Sequence, residues 1–389
     1  MEFGIFVQAT CLDARAHDPV EQHAQYLYEL ALIREADKYG IKYAWVSEHH
    51  GLKEYSHMSA SESFIPFALA QTGNIHVGSG IWPLNPVTNH PVRLAERAAM
   101  CDHLSEGRFE FGTGRGAGSH EIGIFNLDQD TTRANWDEVI WEFRKIWSDK
   151  TYSHQGKAFT TPPCDIFPKP YGGSGTHPPM WLAVGSPPSF EKAGKHGLGA
   201  LGFGFAFSDN ADMARHVDMY KQGIANCEPV GHYVNDNFMI AQGLVCLDDA
   251  KDAREAFVNY SSSRLMALMH RYHDTFPRPA SLPAWPYVPP AMTMEQAEMA
   301  IAHAGLPVGS PDEVIAALKV FEDAGVDQIG FALPITAPLD VAREIIRTIG
   351  EKVAPHFDKD PIHSTTRHRY GADAEKMVAM RGKHPMPTF

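Results

Sequence analysis

Three adjacent residues able to move protons, Glu48-His49-His50, follow a short apolar run from Tyr43 to Ser47. An imidazole titrates near neutral pH and can give or take a proton at a bound group, and a carboxylate beside it can orient it. The competing structural reading is a histidine pair hydrogen-bonded to neighbouring loops. Adjacent histidines also raise metal binding. A metal-binding barrel of the amidohydrolase type, however, wants His-x-His at the end of its first strand, and here that place holds Val7-Gln8-Ala9-Thr10. No metal is expected.

Three further stretches have residue types suited to ligands. In Gly78-Ser79-Gly80-Ile81-Trp82-Pro83, small residues allow a planar molecule to approach the backbone. In Gly112-Thr113-Gly114-Arg115-Gly116-Ala117-Gly118-Ser119, inward backbone N–H groups and one guanidinium suit an anion. It is not a P-loop, because no Gly-Lys-Ser/Thr follows. Val184-Gly185-Ser186-Pro187-Pro188-Ser189 opens a helix, a place for a phosphate or simply for capping by Ser186 or Ser189. A phosphate held between Arg115 and the two serines would leave an attached ring free to reach toward Ile81 and His49.

These stretches need a scaffold that brings them together. Strand-like runs occur at 3–8, 43–47, 75–81, 108–112, 180–184, 199–205, 238–247 and 326–333. Helical spacing occurs between them, at 21–39, 59–71 (capped by Ser61 or Ser63), 92–104, 136–147, 189–196, 211–224, 249–270, 311–324 and 339–351. Ser310 with Glu313 forms a capping box. Eight βα units closing on themselves predict a TIM (β/α)8 barrel, with the active site at the C-terminal ends of its strands. A doubly wound open sheet is the alternative, but the first turn, Gln8-Ala9-Thr10-Cys11, has no G-x-G-x-x-G. Strand neighbours point to opposite faces, so Glu48 and His49 can both face the bore only if the strand has already become loop. The predicted organisation is a barrel over 1–355, with loop excursions at 150–179 and 271–308 that are expected to shape substrate access, and a C-terminal tail at 356–389 rich in His, Arg and Pro. That tail reads as solvated or as packed on the barrel or a neighbouring subunit. Tyr272, His273 and Trp285 fall in the second excursion. Phe6, Trp82, Phe203, Phe205 and Phe331 are candidates for an apolar pocket wall.

The 389 residues carry a net charge of −13, which argues against nucleic-acid partners and anionic membranes. No leader-like start and no apolar run of about 18 residues is visible. Five scattered cysteines without a Cys-x-x-Cys pair suggest a reducing, cytoplasmic setting.

Taken together, Trp45-x-x-Glu48-His49-His50, Asn89-His90-Pro91-Val92-Arg93-Leu94, Leu104-Ser105-Glu106-Gly107-Arg108-Phe109-Glu110-Phe111-Gly112-x-Gly114-Arg115-Gly116, Gly309-Ser310-Pro311-Asp312-Glu313-Val314 and Ala324-Gly325-Val326-Asp327 resemble the luciferase-like flavin monooxygenases, in order from Met1 to about Pro355. The resemblance implies a barrel that binds FMN, used as FMNH2, often in a homodimer. By position Arg115 resembles the arginine that binds the FMN phosphate, with Gly185, Ser186 and Ser189 at the other phosphate positions and His49 at the catalytic histidine. Glu48 and His50 would support it. Gly185 stands where bacterial luciferase has an acid, and Gly114 where it has a reactive cysteine. Ser79-Gly80-Ile81 matches the strand end where the family often has a non-proline cis peptide under the flavin. The implied reaction forms a C4a-hydroperoxyflavin from O2 and inserts one oxygen into a small organic substrate. With no dinucleotide fingerprint in the chain, a separate NAD(P)H:flavin reductase is the expected partner. An F420-dependent dehydrogenase on the same barrel and a non-catalytic flavin-binding protein are the rival readings.

Overall fold

The computed structural model describes residues 1–383 apart from 117, 174 and 275–282. Ala117 of the glycine-rich loop, His384 of the tail and positions 275–282 of the second excursion therefore lie outside the described residues.

Eight strands, β1 (Glu2–Val7), β2 (Tyr43–Val46), β3 (His76–Ser79), β4 (Phe109–Gly114), β5 (Met180–Ala183), β6 (Gly199–Phe203), β7 (Phe238–Gly243) and β8 (Gln328–Ala332), pair in parallel with their sequence neighbours. β8 pairs with β1, which closes the sheet into a barrel. Helices α1 (Pro19–Lys38), α2 (Ser61–Ala70) and α3 (Pro91–Leu104) follow the first three strands. After β4 come α4 (Ser119–Ile124), α5 (Gln129–Val139) and α6 (Glu142–Ser148); α7 (Pro187–Lys195) and α8 (Asn210–Ala225) follow β5 and β6. Then α9 (Ala250–Tyr260), α10 (Ser263–Tyr272), α11 (Met294–Ala304) and α12 (Pro311–Asp323) follow β7, and α13 (Leu339–Thr348) follows β8. Among the described residues no helix is long and apolar enough to cross a membrane.

The two faces of each strand separate with period two. Phe3, Ile5, Val7, Ala44, Val46, Ala200 and Ile240 join the large core between strands and helices. Their neighbours Tyr43, Trp45, Trp181, Leu201, Met239 and Ala241 form a second cluster inside the bore, with Phe6, Ile81 and Phe203 against it. Trp45 and Trp181 meet edge-to-face at 4.9 Å and fill the middle of the barrel. Glycine stands opposite each of them for lack of room: a Cβ on Gly78 would lie 2.5 Å from the Trp45 ring, and one on Gly199 2.3 Å from that of Trp181.

Several local expectations change. The predicted helix at 136–147 breaks at Ile140–Trp141, and that at 249–270 breaks at Ser261, where Ser262 starts α10 by accepting the Leu265 N–H. Neither Ser61 nor Ser63 caps α2; Ala60 occupies the cap, and the Ser61 hydroxyl is bonded to Glu48 instead. The Ser310–Glu313 capping box is present. The first excursion holds an antiparallel hairpin, Tyr152–Gln155 with Thr160–Cys164, and none of its described residues lines the central cavity. Its polar groups tie it to the outside of the barrel: Tyr152 donates to Glu142, and the Lys169 ammonium to the Ile146 and Asp149 carbonyls.

The tail packs on the barrel through its residues up to Tyr370. After α14 (Ala354–Phe357), helices α15 (Ser364–Tyr370) and α16 (Ala374–Met380) lie across the N-terminal end of the barrel. The His363 ring stacks on that of His76 at 3.8 Å, and the Thr365 hydroxyl donates to the buried Glu110, which also accepts from Trp181. Burial pushes the Glu110 carboxyl up to about 8. Arg369 makes a fully buried bidentate pair with Asp102 on α3.

Candidate active site

The C-terminal ends of the strands surround a cavity of about 560 Å³. Its floor is the apolar top of the bore, with Trp45, Ile81, Leu201 and Met239, and Phe6 and Phe203 rise as walls in edge contact at 5.8 Å. Trp82 and Phe331 do not line it. Both side chains face the core outside the barrel, as alternation dictates for Phe331 beside the bore-facing Gln328 and Gly330. Phe205 does not line it either; it is partly exposed and stacks on Phe203.

One part of the rim is cationic. Arg115 follows β4 directly and is half-buried, with Arg133 of α5 nearby. Burial first, and then Arg133, make its charge costlier to hold, a cost that a bound anion relieves. Lys192 of α7 joins the same lining and is tied to α5 through Asp137 at 2.6 Å. Ser186 and Ser189 stand beside them at the start of α7, which follows β5, the strand next to β4. The α7 start differs from an ordinary anion-binding helix end. Pro187 and Pro188 remove two N–H donors, and the Ser189 hydroxyl already accepts those of Gly185 and Ser186 at 3.1 Å each. What remains for an anion there is hydroxyl and cationic side chains rather than bare amides.

The floor next to this rim is flat because it is glycine. The Gly80–Ile81 peptide is cis. A Cβ on Gly114 would sit 2.9 Å from the Ile81 side chain, so a larger residue there would press on Ile81.

Elsewhere on the rim, imidazole, phenol and carboxylate groups meet. β2 ends at Val46, so residues 47–50 are loop, and this is why both Glu48 and His49 reach the cavity. Glu48 accepts from Ser61 at 2.6 Å, and Ser61 in turn accepts the Trp82 indole N–H at 2.7 Å, which pins the loop to α2. His50 lies outside the cavity lining, its ring edge-on to Phe125 and its Nε2 3.3 Å from Glu48, whose hydrogen bond raises its pKa. Ser79 is also outside it: its hydroxyl bridges to the N–H and carbonyl of Gly112 and serves β3–β4 pairing. Gly80, Ile81, Gly114, Arg115, Gly185, Ser186 and Ser189 all line the cavity.

Tyr55, Glu121, Arg133 and Lys192 line it as well and carry no signal in the sequence; His273 does too, and is the one residue of the second excursion's named trio that reaches the cavity. Trp285 instead packs on Arg264 and Arg271, and Tyr272 on Tyr55. His273 Nε2 is 3.0 Å from the Tyr55 hydroxyl, and burial, then the nearby His49, holds its pKa down to about 3.

The chain is thus a closed parallel barrel whose strand ends surround one cavity with a cationic, hydroxyl-bearing rim, an apolar floor and a histidine at its mouth. The sequence profile of the luciferase-like monooxygenases matches residues 1–328, and the chain belongs to that family. It is on that ground an oxidoreductase of the monooxygenase type. The oxygenase component of the flavin-dependent trigonelline monooxygenase of Acinetobacter baylyi is 24% identical over 374 residues, covering 93% of this chain and 97% of that protein. The fold is similar to that of the monooxygenase RslO1 of Streptomyces bottropensis (TM-score 0.73, 22% identity, 92% of this chain and 100% of that one). It is also similar to that of the oxygenating constituent of 3,6-diketocamphane monooxygenase of Pseudomonas putida, solved with FMN (TM-score 0.69, 20% identity, 91% and 98%).

Proposed function

We propose that the protein uses reduced FMN and O2 to insert one oxygen atom into a small organic substrate, with the reduced flavin delivered by a separate reductase. The observation that carries this reading is the division of one cavity into a cationic, hydroxyl-bearing rim, a glycine-flattened floor and a histidine-bearing mouth. The residues fit the cofactor: Arg115, Arg133, Ser186 and Ser189 would hold its phosphate, and Gly80, Ile81 and Gly114 give a flat face where a Cβ at Gly114 would crowd Ile81. When bound, reduced flavin supplies the electrons that activate O2. The chain does the rest. Phe6, Phe203 and Leu201 exclude water from the reacting region. His49 holds or moves a proton at the reacting oxygen, and Glu48 fixes the loop that carries it. Gln8, Tyr55 and the aromatic walls leave room for an organic molecule of modest size rather than a polymer.

Delivery by a reductase is supported by the absence of a dinucleotide fingerprint in the sequence and by the relative named as an oxygenase component. A homodimer fits the exposed Phe67 on α2 and Met100 and Leu104 on α3, which a second copy would cover; a monomer in sedimentation at micromolar concentration removes that part.

The test is a titration with FMN and with F420, followed by O2 consumption with a flavin reductase and NADH. Tight FMN binding and substrate-dependent O2 uptake are expected. Preference for F420 without O2 uptake overturns the reading in favour of hydride transfer. Arg115→Ala should weaken FMN binding about 10- to 100-fold, the loss of a charge-assisted hydrogen bond worth roughly 1.5–3 kcal/mol. Fluorescence titration of the flavin reads this, and an unchanged Kd removes Arg115 from the phosphate site.

A further inference from the structure

His49 presents an unusual pair of surroundings. It is 9% exposed, yet among the described residues its Nδ1 is a buried polar atom without a hydrogen-bond partner. The nearest complementary group is Oε1 of Glu121, 3.5 Å away and itself buried. That distance is within ion-pair range and just beyond a good hydrogen bond, a gap that catalytic pairs often close only when the complex forms. Glu121 comes from α4, after β4, whereas His49 follows β2. The carboxylate is anchored on the far loop, since the same Oε1 accepts the His50 N–H at 2.9 Å. The titratable groups around His49 are Glu121, Tyr55 and His273, with Glu48 and His50 beside it in the chain and Asp274 beyond His273. His273 stands perpendicular to the His49 ring at 5.6 Å with its own Nε2 engaged by Tyr55. It therefore packs against His49 without competing for the nitrogen that faces Glu121.

We propose that Glu121 is the positioning residue for His49: its carboxylate, held by the His50 N–H, keeps the His49 ring proton on Nδ1 and leaves Nε2 as the nitrogen presented to the cavity. A carboxylate behind an imidazole fixes tautomer and ring orientation in this way wherever the other nitrogen must accept a proton or a ligand. Glu121 works through His49 and needs no contact with flavin or substrate. The inference rests on the reading of His49 as the proton-handling group, and the two can fail separately.

Glu121→Gln is the informative variant. Its amide oxygen still accepts the His50 N–H, so the loop keeps its anchor, but the negative charge behind Nδ1 is gone. With ¹⁵N-histidine-labelled protein, the His49 signals are assigned by their loss in His49→Ala. In the native enzyme Nδ1 should be the protonated nitrogen and Nε2 the bare one; in Glu121→Gln that preference should be lost. Turnover should fall about 10- to 100-fold, the usual cost of removing an orienting partner, with KM and FMN affinity within about threefold. Glu121→Asp, which keeps the charge, should recover part of the tautomer preference and of kcat. A native tautomer in Glu121→Gln overturns the proposal whether or not kcat falls. Full turnover by His49→Ala, in contrast, strikes the role of His49 and leaves the tautomer measurement standing.

Discussion

Replacing His49 by Ala is expected to lower turnover by about two to four orders of magnitude, the range associated with loss of a positioned proton-transfer group, while FMN still binds. The two effects separate because His49 and the cationic rim belong to different strand ends: His49 follows β2, whereas Arg115 and the serines follow β4 and β5. The fold should tolerate the change. Among the described residues the buried Nδ1 of His49 makes no hydrogen bond, and the backbone bond from its N–H to Met58 at 3.1 Å survives the change to Ala. Reductase-coupled O2 consumption with flavin titration on the same sample gives both numbers. Turnover within a few-fold of native would mean that proton control lies elsewhere in the cavity.

Arg369→Ala is expected to cost about 3–5 kcal/mol of stability, because it strands a buried carboxylate. Arg369 donates to both oxygens of Asp102 at 2.7 Å, to the Tyr171 carbonyl and to Thr176, and both ionised groups are essentially without solvent contact. Removing the guanidinium leaves Asp102 with the Tyr171 N–H alone among these partners. The double variant Arg369→Met with Asp102→Leu should be less damaging than Arg369→Ala, since exchanging a whole buried pair for apolar groups is far cheaper than breaking it. Urea unfolding measures the difference. At temperatures where the single variant remains folded, its kcat should stay near native, because the pair lies at the opposite end of the barrel from the cavity. A stability loss below 1 kcal/mol would mean that the tail contributes little to closing the barrel floor.

Much of the architecture was legible. Apolar runs, helical stripes and the Ser310–Glu313 box give the βα cadence directly, and a closed parallel barrel follows from it. That Gly80, Ile81, Gly114, Arg115, Ser186 and Ser189 gather round one cavity was also readable, since they follow strand ends where the fold places a site. Ser79 and His50 fell beside the right places but turned away, Ser79 to bridge β3 and β4 and His50 to reach Glu48 and Phe125. Period-two alternation, carried through β8, would have put Phe331 outside the bore from the start. Pro- and Gly-rich composition marked the excursion at 150–179 as a loop without saying where its residues would lie, and its described residues sit away from the cavity.

By itself, then, the sequence determined what is local and periodic: strand and helix order, the Ser310–Glu313 cap, and the residues at strand ends. Only the tertiary structure decided what depends on closure. Glu121 meets His49, Lys192 and Arg133 share a rim, and Tyr55 meets His273 across 218 residues. Barrel closure brings these strand ends within a few ångströms of one another, and no spacing along the chain encodes that meeting. The same closure settled where the tail lies, since Asp102 and Glu110 at the barrel's base take further partners from Arg369 and Thr365.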